Sequence, residues 1–396
     1  MSPLFRFYLS CFFAFLCGHT VNYSVIIYAQ DIIGSDLLSG IGFGLCFGPP
    51  ILLGWYAGVL CDRLAPNRII VISQLLFIVA ALILLVAHLW VTIPANRAIP
   101  LIVSAFLIGC AWSFIAPARM AALGQLASVQ KLHSAMVLLN LLIMLGFGLA
   151  PVVIAGLEQT WGWEAVFLFI AAGFAAATLL LTGVPSQGSD RPRKSVIKEI
   201  HEGLQAVTSK PILFQFLLTS ILAYTLMGPM QVLLPKLASS QLMLFGLDRG
   251  FYLGTLALAL IIGGLLCMAL KARLPDGWII LTGTAIAGIG IALLSQIVHP
   301  LASAGILLLS GIVGGMVVSL IVAGLQTEAA SEVRGRVMGM YTMTSQIIPA
   351  ASGFFAGALS EYLGVADALL ICGLLIALTS LIATNRLRIV RAFAHD

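Results

Sequence analysis

Apolar residues run through the chain in blocks of about twenty or more, enough for a helix to cross the roughly 30 Å of hydrocarbon in a bilayer. Short polar or Gly/Pro-rich segments separate the blocks. This pattern predicts an all-α membrane protein with twelve transmembrane helices. The predicted spans are 7–30, 38–60, 69–91, 99–121, 133–156, 163–184, 211–236, 249–270, 278–298, 301–324, 338–360 and 366–385.

Composition supports the same class. Hydrophobic residues make up 61% of 396 positions, charged residues make up 9%, and the mean hydropathy is +1.10. A soluble domain carries about 25% charged residues, so a soluble protein is excluded. The seven cysteines are scattered without paired spacing. Their distribution favours small apolar side chains packed between helices over a disulfide framework or a metal site.

The basic residues predict the orientation of the spans. Seventeen of the 20 Lys and Arg residues fall at the N-terminus, in alternate loops and in the C-terminal tail. The other three are Arg97, Lys236 and Arg249. Because cytoplasmic loops carry the excess of basic residues, both termini are predicted to lie in the cytoplasm.

The longest polar segment, 185–210, divides the chain into two predicted six-helix bundles at 1–184 and 211–396. In the second part of this linker, apolar residues recur at helical spacing, with charged residues elsewhere. This pattern predicts an amphipathic helix lying on the cytoplasmic membrane surface. The linker would also serve as an ordinary connection between the bundles.

The two halves of the sequence resemble each other at a nearly constant offset. DRLAPNRII (62–70) aligns with ARLPDGWII (272–280), and GLAPVVIAGLEQTWGWEAV (148–166) aligns with PAASGFFAGALSEYLGVAD (349–367). Two parallel repeats in a membrane protein place a cavity at their interface, near the bilayer midplane. The repeat therefore favours a transporter over a channel, an intramembrane enzyme or a structural protein.

The loop between the second and third predicted spans has the sequence GVLCDRLAPNR. It resembles the loop signature of the major facilitator superfamily, G-x-L-a-D-R-x-x-x-R-R, at Gly58, Leu60, Asp62, Arg63 and Arg68. This resemblance implies two pseudo-symmetric six-helix bundles and transport by alternating access. PARMAALGQL (117–126) and EVRGRVMGMY (332–341) resemble the siderophore- and drug-efflux branch typified by the enterobactin exporter.

The same loop predicts a conformational latch on the cytoplasmic face. Asp62 can contact the positive N-terminal end of a neighbouring helix, and the arginines can pair across the loop. Alternatively, the arginines serve only as topology markers. In the second half Ala272 occupies the position of Asp62, so the latch is expected on one side only. The residues assigned to the latch are Gly58, Asp62, Arg63, Arg68, Arg119, Arg334 and Arg336.

Polar residues inside spans are costly in a membrane and are therefore candidates for function. In the first span His19, Asn22, Tyr23 and Gln30 share one helical face, and in the seventh span Ser220, Tyr224 and Gln231 do the same. The resemblance implies that both faces line the substrate cavity. Asn140 and Gln346, the latter with Thr342 and Ser345, are secondary cavity candidates, with interhelical hydrogen bonding as the alternative.

Two residues are candidates for proton coupling. His19 is the histidine nearest a span centre, and its alternative role is that of a neutral interhelical hydrogen-bonding residue. The acid nearest to it is Asp31, at the outer end of the first span. No Walker A loop, HExxH pair, nucleophile elbow or CxxC is present. We therefore expect no ATP hydrolysis, no enzymatic activity and no cofactor.

Together these features predict a monomeric secondary exporter of the bacterial inner membrane. The expected substrate is a small polar metabolite, with a siderophore preferred, moved to the periplasm in exchange for a proton or another ion. The expected partners are this small molecule and membrane lipid, without nucleic acid. Alternatives are a multidrug exporter, a lysophospholipid flippase of the same fold, and a non-transporting receptor or assembly factor.

Overall fold

The computed structural model describes residues 2–61, 64–188, 196–269, 276–330 and 333–393. These residues form helices joined by short turns. In chain order the helices are α1 (Pro3–Tyr28), α2 (Asp36–Phe47), α3 (Pro50–Cys61), α4 (Pro66–Trp90), α5 (Ala98–Leu126), α6 (Leu132–Leu180), α7 (Val196–Ser209), α8 (Pro211–Thr225), α9 (Met227–Ser240), α10 (Gly246–Ala269), α11 (Asp276–Leu294), α12 (Pro300–Glu328), α13 (Arg334–Leu363), α14 (Val365–Arg386) and α15 (Arg388–Arg391). The predicted all-α membrane class is confirmed.

Ten helical stretches of the described residues are long and apolar enough to cross a membrane. One of them, Ser134–Leu180, contains both the fifth and the sixth predicted spans. The helix α13 covers the eleventh predicted span, although its polar first half keeps it outside these ten stretches. The second span is built from α2 and α3, and the seventh from α8 and α9. Helices therefore occupy all twelve predicted positions.

The helix α1 continues beyond Tyr28 into a π-helical turn, Ala29–Ile33, that ends at Gly34. Such a turn holds one residue more than the α-helical path and changes the direction of the side chains that follow it. Gln30 and Asp31 both lie in this turn. Their directions therefore differ from those that a regular helix would assign to them.

Gly162 and Gly364 show the internal repeat in the backbone itself. Gly162 interrupts α6 with φ 79° and ψ −177°, and Gly364 joins α13 to α14 with φ 87° and ψ 161°. Residues other than glycine are essentially excluded from this region of φ and ψ. The sequence alignment paired Gly162 with Leu363, so the structural correspondence is one residue further along.

Contacts divide the chain into two compact units. The first comprises Met1–Arg193 and Phe245–Gly254, and the second comprises Lys194–Leu244 and Thr255–Asp396. The first turns of α10 therefore belong to the first unit. The linker helix α7 belongs to the second unit.

Within the second unit, α7 packs on α13. Val207 is buried in a cluster that also contains Phe216 and Tyr341. On the same helix, Glu202 forms an ion pair with Arg336 at 2.6 Å. A helix therefore occupies the second part of the linker, and its contacts tie it to α13. Its position relative to a membrane surface stays a prediction.

Candidate functional site

A cluster of polar and aromatic side chains surrounds the middle of α1 in the first unit. Trp112 of α5 donates its indole N–H to Asn22 Oδ1 at 3.2 Å. The His19 ring lies 5.4 Å from the Trp112 ring and 5.4 Å from the Phe147 ring of α6. Tyr23 packs on Phe147 with 5.7 Å between the ring centroids. Three of the predicted cavity residues therefore belong to one cluster.

This cluster contains hydrogen-bonding atoms that the described part of the protein does not satisfy. His19 Nε2 and Asn22 Nδ2 are buried and have no hydrogen-bond partner among the described residues. A buried unsatisfied polar atom costs about 1–3 kcal/mol, so most such atoms in proteins have a partner. The two nitrogens are therefore available to bind a water molecule or a polar ligand.

Arg119 lies in α5 with no exposed surface. Its guanidinium donates to Cys11 Sγ at 3.0 Å and to Ser10 Oγ at 3.3 Å. The same group lies over the rings of Phe7 and Phe15, at 5.9 and 5.6 Å from their centroids. These aromatic and hydrogen-bonding contacts partly offset the cost of burying a charge. Arg119 is therefore buried against α1.

In the second unit, the hydroxyl groups of Tyr224 and Tyr341 form a hydrogen bond of 2.6 Å. Tyr224 also lines an apolar cavity of about 80 Å³ together with residues of α9, α10, α11 and α12. Ligand pockets usually measure about 300–1,000 Å³. This cavity can therefore hold one small apolar group of a substrate, but not a whole metabolite.

Asp31 and Arg249 form an ion pair within the first unit. Arg249 Nη1 contacts Asp31 Oδ2, and Nη2 lies 3.3 Å from Oδ1. The following residues of α10 approach α6 closely. Added Cβ atoms on Gly250 and Gly254 would lie 2.9 Å from Pro151 O and 3.0 Å from Gly148 O. The small-xxx-small spacing of the two glycines, a known helix-packing signal, thus lets α10 begin against α6.

A polar cavity of about 420 Å³ lies beside the Asp31–Arg249 pair. Its polar lining comprises Asp31, Glu158, Gln159, Trp163 and Arg249. Every lining residue belongs to the first unit. This cavity was not predicted from the sequence, because the residues that line it come from segments far apart in the chain.

The remaining cavity candidates occupy separate places. Gln30 donates from Nε2 to Ser39 Oγ at 3.2 Å, so its amide contacts α2. Ser220 is buried and donates to the carbonyl oxygen of Leu217 in its own helix. Gln231 is buried in α9, Asn140 is exposed on α6, and Gln346 is partly exposed on α13.

The latch candidates are only partly described. Asp62 and Arg63 lie outside the described residues, and Gly58 lies in α3. Arg68 is exposed in the first turn of α4. Arg334 donates from Nε to the carbonyl oxygen of Ala329 at 3.3 Å, and Arg336 pairs with Glu202 of the linker helix. A latch that includes these residues stays a prediction.

A second set of titratable side chains was also missed from the sequence. The Tyr28 hydroxyl lies 2.9 Å from His88 Nδ1, and His88 Nε2 lies 3.4 Å from Glu164 Oε1. The three residues come from α1, α4 and α6. His88 stands near a predicted span end, so its position in the sequence carried no signal of these partners.

Comparison with known families supplies the chain's classification. The family model described as Major Facilitator Superfamily matches residues 7–353. The chain belongs to this superfamily. Membership identifies a secondary transporter rather than an enzyme, and it agrees with the loop signature around Gly58.

Solved transporters of the superfamily share the fold at low sequence identity. A POT family transporter in complex with 5-aminolevulinic acid has a TM-score of 0.80 at 12% identity, with 98% of this chain and 96% of that chain covered. A bacterial homolog of the human lysosomal transporter Spinster has a TM-score of 0.76 at 13% identity, with the same coverage. The nucleoside transporter NupG (D323A mutant) has a TM-score of 0.74 at 13% identity, covering 98% and 100%. No curated protein matches the chain in sequence.

Proposed function

We propose that this major facilitator exports a small polar metabolite, with a siderophore as the preferred substrate, from the cytoplasm to the periplasm of a bacterium. Superfamily membership supports secondary transport. The distribution of basic residues supports cytoplasmic termini. The stretches 117–126 and 332–341 support the efflux branch through their resemblance to enterobactin exporters.

The observation that carries the substrate class is the cluster of His19, Asn22 and Trp112. Aromatic faces contact planar rings, and imidazole and amide nitrogens without partners among the described residues can hydrogen-bond hydroxyl and carbonyl oxygens. Catecholate siderophores carry both kinds of group. The first 30 residues contain no Asp or Glu, so this stretch of α1 offers no carboxylate for a cationic drug.

Proton coupling is assigned to Asp31 in this proposal, with His19 as the alternative. A proton on Asp31 removes the negative charge that pairs with Arg249. The loss of a charge-assisted hydrogen bond weakens the attachment of Phe245–Gly254 to α1 and α6. Substrate movement and proton movement would then share one conformational step.

Some solved transporters with this fold are known with, or named for, small polar molecules. One is in complex with 5-aminolevulinic acid, another with a thioalcohol-conjugated peptide, and a third is named a nucleoside transporter. These ligands belong to proteins that are 12–13% identical to this chain. They support a small polar substrate.

The decisive experiment is deletion of the gene, growth under iron starvation and analysis of siderophore in the spent medium. We expect the siderophore to accumulate in the cells and to decrease in the medium. The wild-type gene and a Thr379→Ala variant, altered on an exposed face of α14, should restore secretion, whereas Asn22→Ala should not. Unchanged secretion by the deletion strain would exclude the siderophore.

The apolar cavity beside Tyr224 favours an amphipathic substrate as the second candidate. A multidrug exporter or a lysophospholipid flippase would place an apolar group there. Reconstituted vesicles distinguish the candidates, because fluorescent lysophospholipid or a lipophilic dye would then be moved while the siderophore is not. Enlarging the residue at Gly314, where an added Cβ would lie 3.9 Å from Leu260 Cδ2, should impair only that amphipathic transport.

A further inference from the structure

The polar cavity beside Asp31 and Arg249 has the size of a ligand-binding site. Its volume of about 420 Å³ falls within the range of about 300–1,000 Å³ that is usual for small-molecule pockets. Its lining shares no residue with the His19, Asn22 and Trp112 cluster. A ligand in this cavity would therefore occupy a site separate from the proposed substrate site.

The charges around the cavity favour a cation. Asp31 and Arg249 neutralise each other in their ion pair. The third charged group is Glu158, which is exposed and has no hydrogen bond or ion pair within the described residues. The ionised groups of the lining thus carry one net negative charge. A protonated amine can form a charge-assisted hydrogen bond with the Glu158 carboxylate.

The lining also contains a hydrogen-bond donor without a partner among the described residues. Trp163 is only 4% exposed, and its indole Nε1 has no partner in the part of the chain that the structure describes. Its ring is held edge-on by Tyr28, with 5.1 Å between the centroids, and lies 5.7 Å from Phe167. The indole is therefore fixed in place, and a ligand oxygen could accept its N–H. Trp163 and Phe245 also supply aromatic surface for a cation or an aromatic ring.

We propose that this cavity binds an organic ammonium ion that also carries a hydroxyl or carbonyl oxygen, with Glu158 contacting the ammonium group and Trp163 donating to the oxygen. Phe245, Gly246 and Arg249 form part of the cavity, so it exists only while the start of α10 packs on α6. A ligand that binds one state alone stabilises that state by mass action. The bound ammonium ion therefore stabilises this packing, whichever substrate is transported.

Three probes of nearly identical shape test the charge requirement. Tyramine is cationic at neutral pH, tyrosol replaces its ammonium with a neutral hydroxyl, and 4-hydroxyphenylacetate carries a negative charge. Thermal unfolding of the full-length protein in nanodiscs and equilibrium binding of radiolabelled tyramine are measured. We expect tyramine to bind and to raise Tm with concentration, and the other two probes to do neither. Equal effects of tyrosol and tyramine, or no binding of tyramine, would overturn the proposal.

Variants locate the site. Glu158→Gln should weaken tyramine binding by about tenfold or more, because a hydrogen bond to a charged group is lost. Glu158→Asp, which keeps the charge, should retain part of the affinity. Glu361→Gln is the matched control, since Glu361 is an exposed acid near the end of α13 and does not line the cavity. Trp163→Phe should weaken binding while preserving the aromatic ring. Unchanged tyramine affinity in Glu158→Gln would show that the ammonium group binds elsewhere.

Discussion

Arg119 illustrates how strongly a single residue depends on its surroundings in this protein. Its guanidinium is completely buried and contacts Ser10, Cys11 and two phenylalanine rings of α1. No carboxylate is among the contacts that the structure gives for its described neighbours. A charge buried without a carboxylate contact among the described residues costs stability, so we expect Arg119 to have a role in transport.

Arg119→Met should therefore raise the stability of the protein while reducing transport. Replacement of a buried charge by an apolar side chain of similar volume is often neutral or stabilising, by about 1–4 kcal/mol. Thermal unfolding in detergent and substrate efflux from proteoliposomes measure the two effects. Arg68→Met, at an exposed position of α4, is the control and should change stability by less than about 0.5 kcal/mol. A large drop in Tm for Arg119→Met would instead indicate a structural role.

Asp31 is the residue at which we expect a substitution to change the coupling of efflux to a pH gradient. Asp31→Asn removes the negative charge that pairs with Arg249. The variant should therefore reduce the stimulation of efflux by a pH gradient by about tenfold or more. His19→Gln keeps a donor and an acceptor and should mainly weaken substrate binding. Efflux from proteoliposomes with and without an imposed gradient compares the two variants. A wild-type response in both would show that neither residue couples protons.

Among the helices, α6 and the α13–α14 pair share the same glycine break. Gly162 and Gly364 adopt a backbone conformation that other residues avoid, and each begins the last span of its half. The repeat therefore includes the same backbone conformation, with positive φ, at one glycine in each half. The break is local, so it separates two spans without a long polar loop.

Gly364→Ala should lower the free energy of unfolding by about 1–3 kcal/mol, the cost of a non-glycine residue in this conformation. No described atom lies within 4 Å of a Cβ added at Gly364, so a steric clash does not contribute. Gly339→Ala, in the interior of α13 and also in open space, should be neutral or stabilising by about 1 kcal/mol. Chemical denaturation of both variants in the same detergent tests the difference. Equal stabilities would refute the conformational requirement.

For the whole molecule, the twelve spans and the distribution of basic residues predict a definite topology. A periplasm-active reporter fused after Asp248 should be active, and fusions after Gln187 or at the C-terminus should be silent. The opposite result at Gln187 would mean that the number of spans before the linker is odd. Expression level, measured by immunoblot, is the control for each fusion.

Features that depend on neighbouring residues were predictable from the sequence, and those that depend on distant partners were not. The helices follow from local apolar runs, and His19, Asn22 and Tyr23 were placed together because they lie within five positions of one helix. Arg249 stands 218 residues from Asp31, so nothing in one sequence pairs them. Trp112 is an aromatic residue in an apolar run and carried no polar signal before the structure placed it beside Asn22.

The π-helical turn Ala29–Ile33 also makes the transporter sensitive to a change in chain length. Each residue of an α-helix advances the angle around the axis by about 100°, so one extra residue rotates everything beyond it by about that angle. Deleting the codon for Ala29 or Gln30 is expected to restore a regular helix and to rotate Asp31 away from Arg249. Charge, composition and hydropathy of the span would hardly change. A frame-preserving deletion here is thus expected to be more harmful than most substitutions, and a survey of substitutions alone would miss it.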